Sequence, residues 1–125
     1  MTVRVDALTV TELLATATNT TTATGSAVDI HNFDGRYGII LTSSVGTGTT
    51  PTLDVKVQDS DDGSTGWADV SGATFTQITD AADSTEFITI DTDATKAYIR
   101  IVGTIGGTTP SFSFGVVGVG QEQVY

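Results

Sequence analysis

Tyr37–Val55 reads YGIILTSSVGTGTTPTLDV, and Tyr98–Phe114 reads YIRIVGTIGGTTPSFSF. Each copy starts on an aromatic-led apolar strand, crosses a Gly/Thr stretch to Gly-Thr-Thr-Pro, and enters a second, alternating strand. Proline cannot donate to a β-ladder, so Pro51 and Pro110 belong at strand starts. Each also pushes the threonine before it toward extended geometry. The sequence therefore predicts a β-hairpin used twice, with Ser43 to Thr50 and Gly103 to Thr109 as its connections. Nothing in either copy supplies a nucleophile, a metal-ligand cluster or a phosphate cradle, which needs a lysine and a strand-loop-helix setting.

Outward from these copies the chain keeps reading as strands. Leu53, Val55 and Val57 alternate with Asp54, Lys56 and Gln58, the pattern of one buried and one wet face. Phe112, Phe114 and Val116 are expected to point inward. Further short strands are predicted over Ala27 to Ile30, from Trp67, and over Thr74 to Ile78 and Glu86 to Ile90. Asn32 to Gly35 and Asp61 to Ser64 are turns. Residues 1–12 read as an extended N-terminal arm, with a possible helical turn at Glu12 to Ala15 that the threonines after it would end. Short strands separated by turns, in a chain of 125 residues, predict one antiparallel all-β sandwich, jelly-roll-like or alternatively immunoglobulin-like.

Composition excludes several functions. Fifteen acidic residues against five basic ones give a net charge of −10. The five cations are scattered singly. A nucleic-acid binder or an anionic-membrane binder needs a basic footprint, so neither partner is expected. Without cysteine there is no disulfide or thiolate metal site. No charged segment leads into an uninterrupted apolar stretch, so export by the standard route is not expected and synthesis is placed in the cytoplasm.

The remaining candidate sites read as structural. Gln58 to Trp67 packs Asp59, Asp61 and Asp62 into one turn, but its spacing does not match an EF-hand loop. A solvated turn is the expected reading, and likewise for the second acidic stretch, Asp80 to Asp93. His31 is the only histidine, and no Gly-x-Ser-x-Gly elbow accompanies it. Asn19-Thr20-Thr21 matches a glycosylation sequon within a threonine-rich run. Tyr37, Trp67, Tyr98 and Tyr125 could make a sugar-stacking platform, although Trp67 reads first as a core anchor closing the sandwich. No catalytic residue, cofactor or metal is expected.

Leu53-Asp54-Val55-Lys56-Val57-Gln58-Asp59-Ser60-Asp61-Asp62-Gly63-Ser64, then Trp67 and Gly72-Ala73-Thr74-Phe75, resembles small virion structural proteins of tailed bacteriophages. Tyr98-Ile99-Arg100, Gly106 to Phe114 and Val119-Gly120-Gln121 fit the same pattern. The resemblance covers about Leu13 to Gln121 and departs at Ser64 to Trp67, where an extra glycine lengthens the turn. It implies a non-enzymatic decoration, or cement, protein on the outside of a phage head. Its partners would be the major capsid protein and its own copies, often as homotrimers at local threefold axes. Two groups are the expected contacts. One is the pair of Gly/Thr segments (Gly46, Thr47, Gly48, Thr49, Thr50 and Pro51; Gly106, Gly107, Thr108, Thr109 and Pro110). The other is the arm, through Val3, Val5, Leu8 and Val10. The alternatives are a carbohydrate-binding sandwich using Trp67 and a head–tail neck or tail component.

Overall fold

The computed structural model describes residues 8–122. Its strands are β1 (Leu8–Asn19), β2 (Ala23–Thr24), β3 (Val28–Asp29), β4 (Arg36–Ser43), β5 (Thr47–Ser60), β6 (Ala68–Thr74), β7 (Ser84–Asp91) and β8 (Tyr98–Gln121). The axis of the molecule is β8, with 24 residues. Straight, it would span roughly 80 Å, far beyond a domain with a radius of gyration of about 14 Å. It must bend, and it does so at Gly-Thr-Thr-Pro.

One edge of β8 is lined by the N-terminal segment. There β1 pairs with Phe112–Gln121, and β2 and β3 pair with Gly103 to Tyr98. The other edge is lined by β4 on Phe114–Val119 and by β5 on Tyr98–Ser111. All these pairings are antiparallel. The result is a three-stranded ribbon folded over itself at the bend. The front sheet has the order β1-β8-β4-β7, and the back sheet places β2 and β3, then β8, β5 and β6. This is the expected all-β antiparallel sandwich.

The core lies between the two layers. Tyr37, Ile39 and Leu41 from β4 meet Leu53, Val55 and Val57 from β5, with Ile99, Ile101, Phe112, Phe114 and Val116 from β8. The alternations read at Leu53 to Gln58 and at Phe112 to Val116 point the way expected. Aromatic rings settle on glycines: Phe114 over Gly103, Phe112 over Gly46, and Tyr37 over Gly118. A side chain at any of these glycines would meet a ring, so thickness is set by pairing a large residue with none.

Several local expectations change. The two copies are not hairpins. Gly103 to Thr109 lies wholly inside β8, and only Ser44 to Gly46 separates β4 from β5. Each copy's two strands continue one another, and the copies pair with each other over Thr47–Val55 and Gly103–Ser111 rather than each with itself. Glu12 to Ala15 is strand, not helical turn, because β8 offers it a ladder that local propensity does not see. Thr74 to Ile78 extends β6 only through single contacts, Phe75 N–H to Val55 and an isolated bridge of Ile78 to Leu53. Of the expected arm, residues 8–12 are paired to Gln121–Val117; residues 1–7, with Val3 and Val5, lie outside the described residues.

Candidate functional site

The bend brings the two Gly-Thr-Thr-Pro copies face to face, with Thr49 opposite Thr108. Their backbones match. Gly48 and Gly107 have φ of 110° and 113°, and Thr50 and Thr109 both have φ of 47°. Each of these threonines donates its hydroxyl to the carbonyl before it, Thr49 O or Thr108 O, at 2.8 Å. A Cβ on Gly48 would sit 2.5 Å from Thr109 O, and one on Gly107 would sit 2.7 Å from Thr50 O. The corner therefore has a local twofold axis. Register shifts on either side of Thr49 mark the bulges that make the bend. A β-branched residue at positive φ is a genuine outlier, and here it occurs twice in matched positions. Thr47 to Thr50 and Gly107 to Thr109 are exposed, while Pro51 is buried. The predicted contact residues are thus brought together at one end, as a braced corner rather than as two free tips. The bracing hydroxyls bond to their own backbone.

The outer face of the back sheet is polar. Arg100 Nε donates to Gln58 Oε1 at 2.9 Å, Gln58 Nε2 to Asp69 Oδ1 at 3.0 Å, and Lys56 Nζ to Asp69 Oδ2 at 3.1 Å. These bonds hold the Asp69 carboxyl below the usual range, Gln58 contributing most and Lys56 next. The Arg100 guanidinium lies over the Trp67 ring, 4.4 Å from its centroid. Trp67 is half-buried and outside the core, which corrects the expected core anchor: β6 begins after it, and Arg100 covers a face of the ring. Tyr37 is fully buried, so it cannot join Trp67 and Tyr98 in one platform. Tyr125 lies outside the described residues.

The acidic turn is explained by its own backbone. Asp62 Oδ1 accepts from Ser64 N–H at 2.9 Å and Thr65 N–H at 2.8 Å, and Oδ2 accepts from the Thr65 hydroxyl at 2.8 Å. Those bonds, the Thr65 amide first, hold the Asp62 carboxyl well below the usual carboxylate range. Among the described residues no three acidic or histidine side chains converge as a metal site would require. His31 is exposed, with its ring against the Asp29 carboxylate.

The outer face of the front sheet is different, and it was not singled out from the sequence. Partner residues share a face, so the register lays it out in rows. One row is Val10, Val119, Gly38 and Thr89; the next is Glu12, Val117, Ile40 and Phe87. Phe87 is 60% exposed and Val10 67% exposed. The Phe87 ring lies across Gly38, whose missing side chain leaves it room. Beside it, Leu8, Arg36, Gly38, Val119 and Gln121 line an open hollow of about 320 Å³. The only charge within these two rows is Glu12, at the β1 edge. Two of the four expected arm contacts, Leu8 and Val10, stand on this face. The signal was present in YGIIL and GVVGV, runs too continuously apolar for strands with one wet face.

No family model and no curated protein matches the sequence. Solved structures match the fold. VP2 of infectious bursal disease virus, from a subviral particle, is similar with a TM-score of 0.62 and 14% identity, covering 92% of this chain and 32% of that one. A disulfide-linked pilus of Bacillus endospore appendages gives 0.54 and 14%, covering 94% and 89%. A carbohydrate-binding and xylanase module pair of Clostridium thermocellum gives 0.46 and 18%, covering 79% and 20%, too low to carry an argument. This chain thus spans about a third of the viral protein it matches, and it has no cysteine with which to form disulfide links. What it shares with VP2 and with the pilus subunit is the β-sandwich fold.

Proposed function

We propose that this chain is a non-enzymatic structural subunit of a virion, a decoration protein on the outer surface of a tailed-phage head. The observation that carries the reading is the front face: two outward rows whose only charge is Glu12 at the edge, on a chain of net charge −10. Exposed apolar area of this kind marks a contact surface. The fold it sits on is similar to that of a capsid protein and a pilus protein. The sole histidine is paired at the surface, and the acidic turn is satisfied internally, so the visible polar groups have structural work. The partners are the major capsid protein and further copies of this chain, and binding would stabilise the shell by mass action. The subunit would be made in the host cytoplasm and carried on the particle, without nucleic acid, membrane or cofactor.

Electron cryomicroscopy of the particle tests this. Density for the sandwich on the outer shell in hundreds of copies is the expected result. A handful of copies at the neck or tail would replace decoration with that role, and absence from the particle would end the virion reading. The same map reads whether copies cluster at threefold axes.

A further inference from the structure

We propose that the outer face of the front sheet is a self-contact, on which a second copy of this chain packs face to face about a twofold axis. Area, charge and shape each point to a second copy. The face is four strands wide and eight residues long on β4 and β7, about 26 Å by 19 Å at ~3.3 Å per residue and ~4.8 Å per strand. Two such faces bury roughly 1,000 Å² in projection alone, where specific interfaces begin. Sheets stack readily at about 10 Å when their outward residues are apolar.

Charge selects where two copies can meet. Each carries −10, so contact is opposed least across a face whose interior is neutral, and here Glu12, Arg36 and Asp91 stand only at the margins. The back sheet presents Asp54, Lys56, Asp69 and Arg100 outward, whereas Val10, Val119, Val117, Ile40 and Phe87 fill the front. Shape completes the case. A twofold contact requires one patch that is its own complement. This patch carries both an exposed ring, Phe87, and an adjoining hollow of about 320 Å³ beside Gly38. The arrangement is twofold, and so departs from the threefold clustering implied by the phage resemblance. It does not rest on the decoration reading.

The test is sedimentation equilibrium of the full chain at low salt and at about 0.5 M NaCl. Dimers are expected, and they should tighten with salt, because screening weakens the repulsion between like-charged copies. Val10→Asp, at a position 67% exposed, should weaken dimerisation at least tenfold while circular dichroism and Tm stay unchanged. Phe87→Ser should do the same, and Val10→Asp alone decides if that variant fails to fold. A monomer at millimolar concentration in high salt overturns the proposal. So does a dimer indifferent to Val10→Asp, or one that salt dissolves. A monomer whose capsid occupancy falls on Val10→Asp overturns self-pairing and assigns the face to the capsid, leaving the decoration reading standing. A salt-tightened, Val10-sensitive dimer that never binds particles supports the pairing and removes decoration.

Discussion

Substituting Gly48 by alanine should be among the most damaging single-methyl changes in this protein, and Gly107→Ala should match it. At Gly48 the backbone sits at φ 110°, which costs an L-residue about 1–2 kcal/mol. The new Cβ would also stand 2.5 Å from Thr109 O and 2.7 Å from Thr108 O. Both are backbone atoms, so no side-chain rotation relieves them. The paired bulges must part instead, losing about two ladder hydrogen bonds at ~1 kcal/mol each. The expected cost is about 3–4 kcal/mol, within a typical total stability of about 5–15 kcal/mol. Gly107→Ala meets Thr50 O at 2.7 Å and Thr49 O at 2.9 Å at φ 113°, so its cost should agree within about 1 kcal/mol. The double variant is the sharper measurement. Once one substitution has opened the corner, the second meets a relieved backbone, so the pair should cost about 2 kcal/mol less than the sum. Urea unfolding of the four proteins measures all three quantities. Single costs below about 1 kcal/mol, or strict additivity, would refute the reasoning that the copies brace each other.

Two further outcomes follow from single groups. The Tyr37 hydroxyl is fully buried with no hydrogen-bond partner among the described residues; Thr11 lies near it but outside hydrogen-bond geometry. Burial pushes its phenol up, and Tyr37→Phe should raise stability by about 1 kcal/mol, read as the urea midpoint; a loss of that size would mean the hydroxyl is bonded after all. Asp62 has its folded pKa depressed, so its contribution is present above the unfolded value near 3.8 and fades as pH falls through and below the ordinary carboxylate range. Asp62→Ala should lower Tm at neutral pH, and the gap to wild type should close under acid; a gap unchanged between about pH 7 and pH 2 would contradict the assignment.

Period-two alternation made Leu53, Val55, Val57, Phe112, Phe114 and Val116 legible, because a strand with one buried face writes its orientation into neighbouring residues. The corner was legible only in part. Glycine, threonine and proline in series fit a hairpin turn and a bulge equally well, since both need positive φ and a break in the ladder. What separates them is the pairing of Thr49 with Thr108, a contact between distant residues that no local window contains. The repetition of the motif was the available sign that the copies meet. Trp67 was misplaced for a similar reason. Bulk argues for a core position, but the guanidinium that covers it comes from Arg100, across the sheet. The front face went unread because Ile40, Val117 and Val119 on their own look like ordinary strand residues, and only the register sets them side by side.

The order in which the strands are made has a consequence of its own. Among the described residues, every ladder apart from β4 with β7 and β5 with β6 runs through β8, and β8 follows all these partners in the chain. As the nascent chain leaves the ribosome, β1, β2 and β3 emerge with no strand to pair with until Tyr98–Gln121 follows, and β4 and β5 have only β7 and β6. Such distant pairings fold slowly, on the millisecond-to-second scale, and unpaired β-rich segments are exposed to aggregation meanwhile. The surplus of carboxylates then acts before there is a fold at all, keeping waiting chains apart through their mutual repulsion.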